Sequence, residues 1–154
     1  MEKKEINISN NKEIKNLKAL KKFSKLENLN CSNTNIENIY GLRNSIKLEI
    51  LNVSNTKIKN FKRMEYLKNL KVLDISSNKN LENLENLKYL TSLEEINFSE
   101  NILKNLKFLE ELKNLKKINA SKTNIENLEN LENLEKIEIL NISYTNINNL
   151  KHIG

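Results

Sequence analysis

Apolar residues return through this chain at an almost constant step. Ile6, Leu29, Leu51, Leu73, Ile96, Ile118 and Leu140 are separated by 23, 22, 22, 23, 22 and 22 residues. Two residues after each stands another apolar side chain, at Ile8, Cys31, Val53, Ile75, Phe98, Ala120 and Ile142. Three before, from the second unit on, stand Leu26, Leu48, Leu70, Leu93, Leu115 and Ile137. Five after come Asn11, Thr34, Thr56, Asn78, Asn101, Thr123 and Thr145. Such a period constrains the fold more than any composition does. Each unit repeats one conformation and can bury its apolar stripe only against copies of itself.

Within a unit the spacing identifies the backbone. Apolar residues two apart, such as Leu51 and Val53, put both side chains on one face of a short strand. The spacing then changes to three, as in Leu81, Leu84, Leu87, Leu90 and Leu93, which suits a 3₁₀ or extended segment. Stacked coils would pair their strands in parallel at ~4.8 Å, so that seven coils extend roughly 30 Å.

The motif LxxLxLxx(N/T)x(L/I) resembles that of leucine-rich repeat proteins, and the 22-residue period most resembles the internalins and the phosphatase-regulatory repeats. The resemblance spans essentially the whole chain. It implies an α/β-type solenoid of about seven repeats, coiled right-handed, with a parallel sheet on the concave face and 3₁₀ or extended segments on the convex face. The repeats fall near 3–25, 26–47, 48–69, 70–92, 93–114, 115–136 and an incomplete 137–154, all in one domain, 1–154. The resemblance further implies that the concave sheet is the recognition face.

The period also accounts for six Asn-X-Ser triplets, at Asn7, Asn30, Asn52, Asn97, Asn119 and Asn141, with Asp74 in the remaining place. As acceptor sequons they would mean a glycosylated surface; their regular step makes them a product of the repeat. Asn52 and Ser54 flank inward-facing Val53, which predicts Asn and Ser ladders pointing outward. A further ladder runs Asn16, Asn38, Asn60, Asn83, Asn105, Asn127 and Asn149. Identical amides in a parallel stack are expected to hydrogen-bond up the ladder and to turn backbone. Where Thr replaces Asn at the end of the strand, the interior bonds must be made differently.

Several features limit the function classes. His152 is the lone histidine, so neither a catalytic triad nor a multi-histidine metal site can be assembled. Cys31 holds an inward position and reads as a packed core thiol. With Gly41 and Gly154 as the only glycines there is no phosphate-cradling loop. No enzyme activity, metal or cofactor is expected. The N-terminus has no apolar signal core and no segment approaches a membrane span, so a cytoplasmic location is expected, without membrane contact. No capping segment is visible, and open ends predict end-to-end self-association or a covering partner.

Binding is then the expected role. The residues preceding each strand's first apolar side chain face the concave side, among them Ile50, Val72, Glu95 and Lys117. Ile50 and Val72 should form an apolar patch beside Asp74. One row further on, Glu100, Lys122 and Tyr144 make a weaker candidate. A partner protein is the expected ligand, bound by an adaptor or regulator. The alternatives are a phage- or mobile-element-type inhibitor docking on a host enzyme such as an RNA-guided nuclease, a fragment of a surface adhesin, and direct nucleic-acid binding. The last draws on charge: residues 1–80 hold 17 basic and 8 acidic side chains, a net of +9, and residues 81–154 hold 9 and 12, a net of −3. Its candidate surface is Arg43, Lys62, Arg63, Tyr66 and Tyr89, where the two tyrosines share a repeat position and are expected to stack.

Overall fold

The computed structural model describes residues 3–153. Seven three-residue strands form one parallel sheet in chain order: β1 (Glu5–Asn7), β2 (Asn28–Asn30), β3 (Ile50–Asn52), β4 (Val72–Asp74), β5 (Glu95–Asn97), β6 (Lys117–Asn119) and β7 (Ile139–Asn141). Each residue pairs with its counterpart one coil on, as Leu29 does with Leu51 and Leu51 with Leu73. Five coils carry a 3₁₀ turn: η1 (Lys18–Lys22), η2 (Tyr40–Leu42), η3 (Met64–Tyr66), η4 (Glu85–Tyr89) and η5 (Lys107–Leu109). The period-three leucines point into the stack. This is the solenoid that the periodicity predicts.

The core is a continuous column between sheet and turns. Leu26, Leu29, Leu48, Leu51 and Leu70 have no exposed surface, and the Phe98 and Phe108 rings meet edge to face at 5.4 Å. Cys31 lies in this column, where burial pushes its thiol up to about 12. Ser45, at the apolar position of the second repeat, is fully buried and donates its hydroxyl to the Phe23 carbonyl at 3.4 Å.

Of the two kinds of bond expected, two of the ladders use mainly the one to turn backbone. Each strand-end Asn turns its Oδ1 back to accept from the Ser amide two residues on, at 3.0 Å for Asn30 and 2.9 Å for Asn52. The Ser hydroxyl donates to the same oxygen, at 2.8 Å in Ser54. The Asn16 ladder does likewise, closing local turns such as Lys18 N–H to Asn16 Oδ1 at 3.1 Å. These are Asx turns within one coil, because the strand ends there and the nearest orphan donor is two residues away; a bond up the strand-end ladder joins Asn97 Nδ2 to Asp74 at 3.2 Å. Consequently Ser32, Ser76 and Ser99 are buried instead of facing out.

Coils are joined at the surface by an amide chain, Asn55 Nδ2 donating to Asn33 at 2.7 Å and Asn33 Nδ2 to Asn10 at 2.9 Å, and in the interior by the buried Asn/Thr position. Asn78 Nδ2 donates to the carbonyls of Val53 and Ile75, both at 2.9 Å, and its Oδ1 accepts from the Thr56 amide at 2.7 Å. Asn101 repeats the pattern one coil on, reaching Ile75 and Phe98. Thr34 and Thr123 make one bond each, to a carbonyl of their own coil at 2.7 Å. Asparagine therefore joins two coils, whereas threonine in these positions closes one.

Candidate functional site

The strands place the predicted sheet-face residues in one row. Ile50 pairs with Val72, Val72 with Glu95, and Glu95 with Lys117. Ile50 is 40% exposed and Val72 is half-buried, so the two present adjoining apolar surface. Asp74 lies two residues along from Val72 and is itself half-buried. Its carboxylate accepts from the Ser76 amide and hydroxyl at 2.9 and 2.6 Å and from Asn97 Nδ2 at 3.2 Å. Beside it, Val72, Asp74, Glu95, Lys117 and Ile139 line a shallow hollow of about 420 Å³. Ile139, 54% exposed, extends the apolar surface beyond the residues singled out from the sequence, and its place in the same row is the signal that marks it.

The charged members of the face neutralise one another. Lys117 Nζ lies 2.7 Å from Glu95, and Lys122 Nζ lies 2.7 Å from Glu100. The hydrogen bond to Glu95 raises the Lys117 pKa, and the bonds from Lys122 and Ser77 lower that of Glu100. All these groups are well exposed, so the pairs orient side chains more than they stabilise the fold.

The row holding Glu100, Lys122 and Tyr144 has a property that the sequence hides. Asn10, Asn33, Asn55, Ser77, Glu100, Lys122 and Tyr144 all adopt left-handed backbone, with φ between 50° and 62°. In the first six the turn requires it, because each amide donates to a Ser carbonyl of the following coil, as Asn55 does to Ser76 at 2.9 Å; Tyr144, in the last coil, keeps the same backbone. Asn tolerates this region; Glu, Lys and Tyr occupy it under strain. Tyr144, 83% exposed, contributes little packing in exchange. Tyr144→Asn is therefore expected to raise stability by about 1 kcal/mol, read as a higher midpoint in urea.

On the turn side, Tyr66 and Tyr89 sit at matching places in η3 and η4, both half-exposed. Among the described residues no ring contact joins them; Lys88 covers Tyr89 instead, with Nζ 5.5 Å from the ring centre. Arg43 and Arg63 gather around Tyr40, which the sequence reading did not select, and Lys62 stands exposed beside Arg63.

No family model matches the chain, and no curated protein matches its sequence. Solved structures match it by fold. An internalin (inlF) from Listeria monocytogenes is similar with a TM-score of 0.85 at 24% identity, over 96% of this chain and 43% of that one. A leucine-rich repeat protein from Leptospira interrogans gives 0.76 at 25% identity, over 83% and 34%. TLR13, solved as a complex with ssRNA13, gives 0.74 at 18% identity, over 85% and 20%. The chain spans less than half the length of each. Sheet order, register, turn geometry and these likenesses agree, and the chain is a leucine-rich repeat solenoid.

Proposed function

We propose that the sheet face binds a partner protein and that the chain acts without catalysis, as a cytoplasmic adaptor or regulator. The observation that carries this reading is the Ile50–Val72 pair. The surrounding face consists of Asn ladders bonded to their own turns or to each other and of ion pairs closed on themselves, such as Glu95–Lys117. Two adjoining aliphatic side chains among such groups leave apolar area that a partner can cover, at roughly 25 cal/mol per Å². Asp74 adds a charge at the edge of that patch. Polar groups ringing an apolar centre are the usual anatomy of a protein contact. The likeness in fold to internalins supports an interaction module in general.

The test is a tagged pull-down from source lysate after nuclease treatment, read by mass spectrometry. A partner is expected to remain bound with little dependence on salt. Ile50→Glu with Val72→Glu should abolish its recovery. Asp74→Asn, which installs the residue that the other six repeats carry, should weaken recovery without lowering the melting temperature. Undiminished recovery by the double variant, or loss on nuclease treatment alone, would sink the reading.

A further inference from the structure

Lys21, Tyr40, Arg43 and Arg63 wall a shallow pocket of about 280 Å³ on the turn side of the coils. Three consecutive coils supply them: Lys21 from η1, Tyr40 and Arg43 from η2 and the residue after it, and Arg63 from just before η3. The pocket lies where the column of turns is interrupted. η1 packs on η2, η3 on η4 and η4 on η5, but η2 and η3 do not meet.

Four observations converge there. The walls hold three cations and no carboxylate. None of the three forms an ion pair among the described residues. The Tyr40 ring is 45% exposed and carries the Arg63 guanidinium 5.8 Å from its centre. Arg63 is held at φ 71°, a left-handed backbone that a long side chain occupies only under strain. Around the pocket, Lys18, Lys22, Lys62 and Lys68 stand exposed on the same three turns, with Glu65 the acid among them.

We propose that this pocket binds single-stranded nucleic acid, with a phosphate among Lys21, Arg43 and Arg63 and a base against the Tyr40 ring. Unpaired cations favour a polyanion. A half-exposed ring paired with a guanidinium favours one that has planar groups to stack, and only an unpaired base can reach it. An acidic peptide would need the cations but would leave the ring without a role. Lys88 over Tyr89 offers a second ring-and-cation pair further along the turns. The site is separate from the sheet face and stands or falls independently of it.

Fluorescence anisotropy with a labelled uridine dodecamer, titrated at stepped NaCl concentrations, tests the proposal. Arg43→Gln with Arg63→Asn should weaken binding at least about tenfold and flatten the salt slope by about 0.7, the contribution of the one single-strand phosphate that they hold. Arg63→Asn relieves the left-handed strain, so its thermal midpoint should not fall. Tyr40→Leu should weaken binding roughly 5- to 100-fold while leaving the slope unchanged. Ile50→Glu on the sheet face should bind as the parent does. Absence of saturable binding into the millimolar range would overturn the proposal, as would wild-type affinity in Tyr40→Leu. Equal competition by a duplex of the same length would mean a plain anion patch, and equal competition by polyglutamate an acidic protein surface; either overturns it.

Discussion

Asn78→Ala is expected to lower the free energy of unfolding by about 3 kcal/mol. The amide of this buried residue serves four groups. It donates to the carbonyls of Val53 and Ile75 and accepts from the amide and the hydroxyl of Thr56. Alanine leaves the buried Thr56 amide without a partner, whereas the Val53 carbonyl keeps the Thr56 hydroxyl at 3.1 Å and the Ile75 carbonyl keeps Asn101 Nδ2 at 2.9 Å. That unsatisfied amide costs about 1–3 kcal/mol, each bond lost from the carbonyls adds about 0.5–1.5 kcal/mol, and little water can enter to relieve them. Because the amide bridges the third and fourth coils, its loss also weakens the coupling between neighbours on which a solenoid depends. Asn78→Thr should recover part of the loss, since Thr34 and Thr123 each bond a carbonyl of their own coil. Surface-exposed Asn80→Ala should change stability by less than about 0.5 kcal/mol. Urea unfolding measures all three. A loss under about 1 kcal/mol for Asn78→Ala would show that this ladder does not hold the coils together.

Gly41→Ala should cost about 3 kcal/mol, a fall in melting temperature of roughly 10 °C for a chain of this size. Gly41 has no positive φ, so flexibility is not the reason for it. Space is. A β-carbon there would stand 1.9 Å from the Leu17 carbonyl oxygen and 2.3 Å from its carbon, both backbone atoms that cannot turn aside. η2 would have to retreat from η1, opening the core around buried Leu17 and Leu42. Without that contact, Gly→Ala at an ordinary φ would stabilise by about 0.4–1 kcal/mol through the unfolded chain, so the sign of the shift decides between the two accounts.

The sheet face was legible in advance because parallel pairing converts the repeat period into register. Once Leu29, Leu51 and Leu73 are aligned, Ile50 must neighbour Val72 and Glu95 must neighbour Lys117. The ladders were legible as positions but not as bonds. An Asn every 22 residues can link coils or fold back on its own turn, and the choice rests on which orphan donor is nearest. Strand-end Asn52 folds back, whereas buried Asn78 reaches across. The left-handed row was hidden for another reason. Ser77, Glu100, Lys122 and Tyr144 carry no local preference for positive φ; stacking imposes it on them.

Period and alternation alone thus determined the solenoid, the strand register and the row facing out from the sheet, since all three follow from repeating one backbone conformation. The tertiary structure alone decided the turn side. There, η2 seats closely on η1 at Gly41, the backbone reverses at Arg63, and η3 begins two residues later in its coil than η2 does. Such small offsets are invisible in the pattern of leucines, yet they break the column of turns and bring Tyr40, Arg43 and Arg63 together.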